Sequence, residues 1–262
     1  MAIIRFLGTC SGTEPMVGMH HCSFILEAGD YYYWFDGGEN CAYTAHTNGL
    51  DVLKTKALFV SHPHLDHVAG LPNLFSCMRK LIYREGKKLI NDNSLDVYFP
   101  NLEFFHAIKL VACSGNSNFK FFFNMREHEV SDGVLFEDEN IRVTAMHNRH
   151  LGEDGSNGWH SYSYLIEVEG KRIVFSGDVK SPDELDEFMK DGCDFFIMET
   201  GHHPVKDVCE YAVSRGVKAL YFNHHGREII NGRPEAEKLI REYASSANIS
   251  IKIAYDMMTE VL

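Results

Sequence analysis

The sequence predicts a layered α/β domain, and three observations carry that prediction. Short apolar runs of strand type alternate along the chain with stretches whose apolar residues recur at helical spacing. No repeat, proline-rich linker or low-complexity tract divides the 262 residues, so 1–262 reads as one domain. Hydrophobic residues make up 45% and aromatic residues 12%, enough to bury a substantial core and too much for a disordered chain.

The elements follow in order. Residues 2–7 form a first strand, and Gly8-Thr9-Cys10-Ser11-Gly12-Thr13 follows as a small-residue loop open to close backbone approach. No Gly-Lys-Ser/Thr succeeds it, so it is not a phosphate-binding P-loop. Residues 23–27 and 31–35 form a hairpin about Ala28-Gly29-Asp30 that ends at Asp36-Gly37-Gly38; His20 and His21 before it read as surface-loop residues. A buried strand at 57–60 leads into Ser61-His62-Pro63-His64-Leu65-Asp66-His67. Helical spacing of Leu71, Leu74, Phe75 and Met78 marks a helix over 68–83. A strand at 95–99, a helix at 102–113 and a strand at 119–123 come next. Strands at 141–146, 162–168 and 171–175 follow, with 151–158 as an inserted glycine-rich loop. Ser181-Pro182-Asp183-Glu184 has the form of a capping box that starts a helix. A strand at 195–198, a helix at 205–215, a strand at 218–222, a helix at 234–246 and a strand at 249–254 complete the chain.

Chemistry concentrates after the strand at 57–60. Any one of the 15 histidines would pass for a loop residue, but His62, His64, Asp66 and His67 fall within six consecutive positions. Imidazole nitrogen and carboxylate oxygen are the ligands that borderline divalent ions prefer. His62 and His64, two apart in an extended turn, and Asp66 and His67, at the start of the next element, present two pairs that suit two neighbouring ions. Further candidates stand at strand ends: His147 or His150, Asp178, Glu199, His202 or His203, and His224 beside His225.

The His-x-His-x-Asp-His turn resembles the signature of the metallo-β-lactamase superfamily of hydrolases. The Leu-Gly-Thr loop, the hairpin ending at Asp36 and the closing Tyr255-Asp256 resemble its ribonuclease Z-like, cyclic phosphodiesterase-like branch. The resemblance covers nearly the whole chain, though only the histidine turn is highly specific alone. It implies a four-layer αββα sandwich, the metallo-β-lactamase fold, with metals at the rim between the sheets. It implies one ion on His62, His64 and His150, with His147 as the other candidate, and a second on Asp66, His67 and His224. Asp178 would bridge the two, and Asp36 would orient the turn from behind. The catalytic set it implies is Asp66, His202 and Glu199: His202, 22 positions before His224, protonates the leaving oxygen and Glu199 holds its imidazole, with His203 one position off that spacing. Zinc is the first expectation for both ions, with manganese or iron also suited. Two ions about 3.5–4 Å apart lower the pKa of a shared water from ~16 toward ~7.

The resemblance therefore implies a dinuclear metal-dependent hydrolase, and a small cyclic or linear phosphodiester is the first substrate expectation. Alternatives are an acyl hydrolase (lactonase or thioesterase), a ribonuclease Z-like RNA endonuclease, and a metal-containing sensor without turnover. Against a nucleic-acid partner stand the net charge of −12, from 25 basic and 37 acidic residues, and a compact stretch of 45 residues between Asp178 and His224, where ribonuclease Z carries a basic arm. The one basic cluster, Arg79, Lys80, Arg84, Lys87 and Lys88, reads as a solvated helix end. Seven scattered cysteines without a C-x-x-C pair give neither a disulfide framework nor a thiolate site. No signal peptide or run of ~20 apolar residues is present, so a cytoplasmic protein without membrane contact is expected. A homodimer is in keeping with the resemblance.

Overall fold

The computed structural model describes residues 1–116, 118–152 and 159–262. The chain forms two compact units: Met1–Gly8, His20–Val130 and Asp256–Leu262 make the first, Thr9–Met19 and Ser131–Tyr255 the second.

The first unit is built on a seven-stranded sheet. Its elements are β1 (Ile3–Gly8), β2 (Ser23–Ala28), β3 (Tyr31–Phe35), α1 (Cys41–Thr47), β4 (Thr55–Phe59), α2 (Leu65–Val68), α3 (Leu71–Glu85), β5 (Ser94–Phe99), α4 (Leu102–Ala112), β6 (Asn124–Glu129) and, from the end of the chain, β14 (Thr259–Val261). The order across the sheet is β14-β1-β2-β3-β4-β5-β6. Pairs up to β2–β3 are antiparallel and those from β3–β4 onward parallel. A parallel pair needs a crossover, and α1, α3 and α4 supply the three. Leu71, Leu74, Phe75, Met78 and Ile82 bury one stripe of α3 against Trp34, Leu58 and Val97. Asn101 caps α4 by accepting from the backbone N–H groups of Glu103 and Phe104. The opposite face of the sheet carries one row of rings: Phe6, Phe24, Phe35, Phe59, Tyr98 and His128, one from each strand β1 to β6, with neighbouring centroids 6.1, 4.9, 5.1, 4.9 and 4.5 Å apart. Each ring sits directly opposite the next in the strand register.

The second unit has the same plan. It comprises β7 (Gly133–Glu137), β8 (Ile141–His147), β9 (Tyr162–Val168), β10 (Lys171–Phe175), α5 (Asp186–Met189), β11 (Phe195–Glu199), α6 (Val205–Ser214), β12 (Ala219–Asn223), α7 (Arg227–Ala247) and β13 (Ser250–Ile253), with sheet order β13-β12-β11-β10-β9-β8-β7. Again three pairs are antiparallel and three parallel, the parallel ones crossing through α5, α6 and α7. Val205, Val208, Cys209 and Ala212 of α6 pack with Phe196, Met198, Leu220 and Phe222 of the sheet. Two seven-stranded sheets with their helices bear out the mixed α/β expectation.

Several local expectations need correction. Residues 119–123 are not a strand; β6 begins only at Asn124. Phe122 takes a left-handed φ of 67°, and the Arg79 guanidinium stacks 4.4 Å from the Phe119 ring while its Nε donates to the Lys120 carbonyl. Ser181 makes no capping hydrogen bond to the backbone; its hydroxyl turns to Asp183, and a 3-10 turn (Pro182–Leu185) precedes a single turn of α5. The helix expected at 234–246 starts earlier, at Arg227, and is kinked at Gly232 (φ −125°), where Pro234 cannot donate to the preceding turn. The helix expected over 68–83 is α3, which begins only at Leu71 and runs to Glu85, and Val68 ends the short α2 instead. α1, β7 and β14 were not expected at all. Of the loop at 151–158, residues 153–158 lie outside those described.

Candidate functional site

In each unit most candidate residues gather at the carboxyl ends of parallel strands, where the crossovers of an α/β sheet leave a crevice, and His150 alone follows an antiparallel strand, β8. In the first unit a single turn after β4 supplies them all. Its anchor is Asp36, which is fully buried just past β3 with φ 56°. Its carboxylate accepts from Ser61 N at 2.6 Å, from the Ser61 hydroxyl at 2.8 Å and from His67 Nδ1 at 2.7 Å. The Ser61 hydroxyl spends its one proton on Asp36, so it can only accept from His62 Nδ1, 3.0 Å away. Both rings are thereby fixed with the proton on Nδ1 and Nε2 as the ligand atom. His62 Nε2 faces His64 Nδ1 at 3.0 Å, so the two nitrogens converge on one point. Asp66 Oδ2 lies 3.4 Å from His67 Nε2. Cys22 is close to Asp36 and His67 as well, its sulfur within 4.8 Å of their donor atoms. The turn is held flush by Gly38, where a Cβ would stand 2.6 Å from the Asp66 carbonyl oxygen.

The second unit collects its residues from four strands. Asp178, just beyond β10 and 2% exposed, directs Oδ1 to His224 Nδ1 at 3.4 Å and Oδ2 to His150 Nε2 at 3.7 Å. One oxygen toward each of two histidines is the arrangement a bridging carboxylate needs. Glu199 ends β11, buried, and accepts from the backbone and Nδ1 of His202 at 2.9 Å and from Val179 N at 3.2 Å. Burial works to raise its pKa, but the hydrogen bond from His202 and the nearby His224 imidazole outweigh that and hold it well below the usual carboxylate range. The same carboxylate raises the pKa of His202. Asp178, Glu199, His202 and His224 together offer donor atoms within 4.8 Å of one another.

The paired alternatives separate. His147 is tied to Asp132, Nδ1 to Oδ2 at 2.6 Å, and lies flat on Trp159 at 4.0 Å, whereas His150 reaches Asp178. His203 Nε2 donates to the Val179 carbonyl at 3.0 Å; His202, with Nδ1 on Glu199, stacks 5.8 Å from the His224 ring. His224 holds a left-handed φ of 50°, and its ring fits only because residue 201 is glycine: a Cβ there would meet His224 Nδ1 at 2.7 Å. His225 faces away, buried, its Nε2 donating to the Ala254 carbonyl at 2.8 Å; burial lowers its pKa to about 4. The loop after β1 clamps this corner, with His225 N on the Thr9 carbonyl and the Ser11 hydroxyl on the His225 carbonyl. In the first unit His20 is bound to Asp256 at 2.8 Å. Sequence reasoning passed over Ser61, Cys22 and Gly201, single small residues whose weight comes only from the groups that fold against them.

A model of the family described as anti-Pycsar protein Apyc1 matches residues 2–213. Among curated proteins, ribonuclease Z of Methanothermobacter thermautotrophicus (strain ATCC 29096 / DSM 1053 / JCM 10044 / NBRC 100330 / Delta H) is 23% identical over 314 residues, covering 99% of this chain and 96% of the relative. Among solved structures, the metallo-β-lactamase-fold protein YhfI from Bacillus subtilis superposes with a TM-score of 0.75 at 17% identity, covering 99% and 98% of the two chains. The short form of human tRNase Z (ELAC1) gives 0.70 at 18% identity, covering 99% and 98%. Their likeness establishes the metallo-β-lactamase fold that the histidine turn led us to expect. With its fold, its histidine turn and a family match over most of its length, the chain belongs to the anti-Pycsar protein Apyc1 family, in the ribonuclease Z-like branch of the metallo-β-lactamase-fold metal-dependent hydrolases.

Proposed function

We propose that the protein is a dinuclear metal-dependent phosphodiesterase acting on a small cyclic or linear phosphodiester, with 1–262 working as one catalytic domain. The ligands would be His62, His64, Asp66 and His67 from the first unit and His150, Asp178 and His224 from the second. The observation that carries the reading is the donor set: ring nitrogens fixed by Asp36 and Ser61 in the first unit, and Asp178 with an oxygen toward each of two histidines in the second. Nitrogen and carboxylate donors of this kind fit zinc first and manganese or iron next. When bound, two such ions activate a water and take up negative charge developing on the phosphoryl oxygens.

The chain's own groups do the rest. Glu199 fixes the proton of His202 on Nδ1 and turns Nε2 outward. Glu199 also favours the doubly protonated ring, and the second proton, on Nε2 of that imidazolium, passes to the departing oxygen, leaving a monoester and a free hydroxyl, in one molecule where the diester was cyclic. A compact substrate is favoured by the net charge of −12, and by the stretch between Asp178 and His224, which is filled by α5, β11, α6 and β12.

The ribonuclease Z relatives favour a second reading, an RNA endonuclease, and the expectation that nucleic acid is an unsuitable partner finds no support in them. Elemental analysis of protein purified without chelator, followed by hydrolysis of bis-p-nitrophenyl phosphate, tests the chemistry. About two metals per chain and an activity lost in His64→Ala are expected; fewer than one metal after reconstitution would sink the proposal. Comparing a 3′,5′-cyclic mononucleotide with a precursor transfer RNA then decides between the substrates.

A further inference from the structure

One cavity of about 450 Å³ in the second unit is lined by Arg149, His150, Gly152, Val179, Lys180 and His202. Its size is that of a small-molecule site. Its lining is out of keeping with the chain: a protein of net charge −12 places two cations and two imidazoles here and no carboxylate. Neither Arg149 nor Lys180 forms a side-chain ion pair among the described residues, although every other arginine of the unit does: Arg142, Arg172, Arg215, Arg227, Arg233 and Arg241.

Both cations ride on fixed backbone. Asn148, directly before Arg149, is buried, with its backbone N–H on the Ser161 carbonyl and its side-chain amide on the Ser163 hydroxyl. Arg149 N itself donates to Glu184 Oε2 at 3.2 Å. On the other wall, Val179, directly before Lys180, is tied at both ends, its N–H to Glu199 and its carbonyl to His203. The two charges thus emerge one residue from His150 and two residues from Asp178, on segments whose backbone position the fold determines.

We propose that Arg149 and Lys180 are substrate-binding residues that hold the anionic oxygens of a compact phosphodiester in this cavity and select for negative charge. The proposal rests on the phosphodiesterase reading above and adds which residues recognise the substrate's charge. A guanidinium can take two phosphate oxygens at once through parallel N–H bonds, and an ammonium adds a point charge.

The test uses metal-loaded protein and the variants Arg149→Gln, Lys180→Gln, the double variant and Arg149→Lys. Metal content verifies that each variant keeps its site. Calorimetric titration with inorganic phosphate is expected to weaken on the order of tenfold in each single variant, as the loss of a charge-assisted hydrogen bond does, and further in the double. With bis-p-nitrophenyl phosphate, KM is expected to rise in parallel while kcat moves by less than about threefold, and Arg149→Lys recovers part of the affinity. Phosphate that binds wild type and double variant equally, or binds neither, overturns the proposal. Because phosphate binding needs no turnover, a wild type that fails to cleave diesters would defeat the functional reading alone, and the anion site would still stand or fall by the titration.

Discussion

The two units share a plan of seven strands, three antiparallel pairs and three parallel ones, yet they assemble their candidate residues in opposite ways. The first takes four from one turn of seven residues and fixes the turn from a single point, the Asp36 carboxylate. The second draws His150, Asp178, Glu199 and His224 from the ends of β8, β10, β11 and β12 and holds each by its own neighbours. A cluster held at one point should fail all at once, and a distributed one by degrees.

The largest effect is therefore expected for Asp36→Ala. It strips three donors of their buried acceptor, which costs roughly 3–5 kcal/mol for a buried network of this kind. Thermal unfolding should show the loss, and metal content should fall in the same protein; a variant that keeps full metal would break the comparison. Next comes His202→Ala, for which kcat on a diester should drop by about 10²–10⁴-fold while the metals stay, since a proton donor is lost and no ligand. Metal loss in this variant would show that the second cluster is as brittle as the first. Gly201→Ala should be milder, because its 2.7 Å clash falls on the His224 ring, with only a tight 3.2 Å approach to Ser11 Cβ beside it. A fall in kcat/KM of about tenfold, roughly 1.4 kcal/mol, is expected with the melting temperature nearly unchanged. The smallest effect separates two neighbours. His147→Ala removes a ring bound to Asp132 and should leave metal content intact, whereas His150→Ala should lower it; the reverse result would exchange their roles.

The same contrast governs what could be read from the sequence. The histidine turn was legible because its residues are adjacent, and their spacing alone signals a metal. His150, Asp178, Glu199, His202 and His224 were legible only through their order along a familiar chain, since each alone is a polar residue at a strand end. The choice between His147 and His150 needed Asp132 and Trp159, which lie 15 residues upstream and 12 downstream of His147 and reveal themselves only when β8 pairs with β7 and with β9. Strands with buried, alternating faces were recognised within a residue or two. The failures had tertiary causes: the phenylalanines at 119–123 favour a strand, but Arg79 of α3 holds them in a loop. α1 carries too few apolar residues at helical spacing to declare itself.

The row of rings from Phe6 to His128 has a consequence for heredity as well as for folding. Because Phe59 stands in that row two residues before Ser61, the sheet's pairing decides where the histidine turn begins. Inserting or deleting one residue in β4 would carry every following side chain to the opposite face. The six rings act as a reading frame written in the folded protein, and the count between Phe59 and the histidines cannot drift.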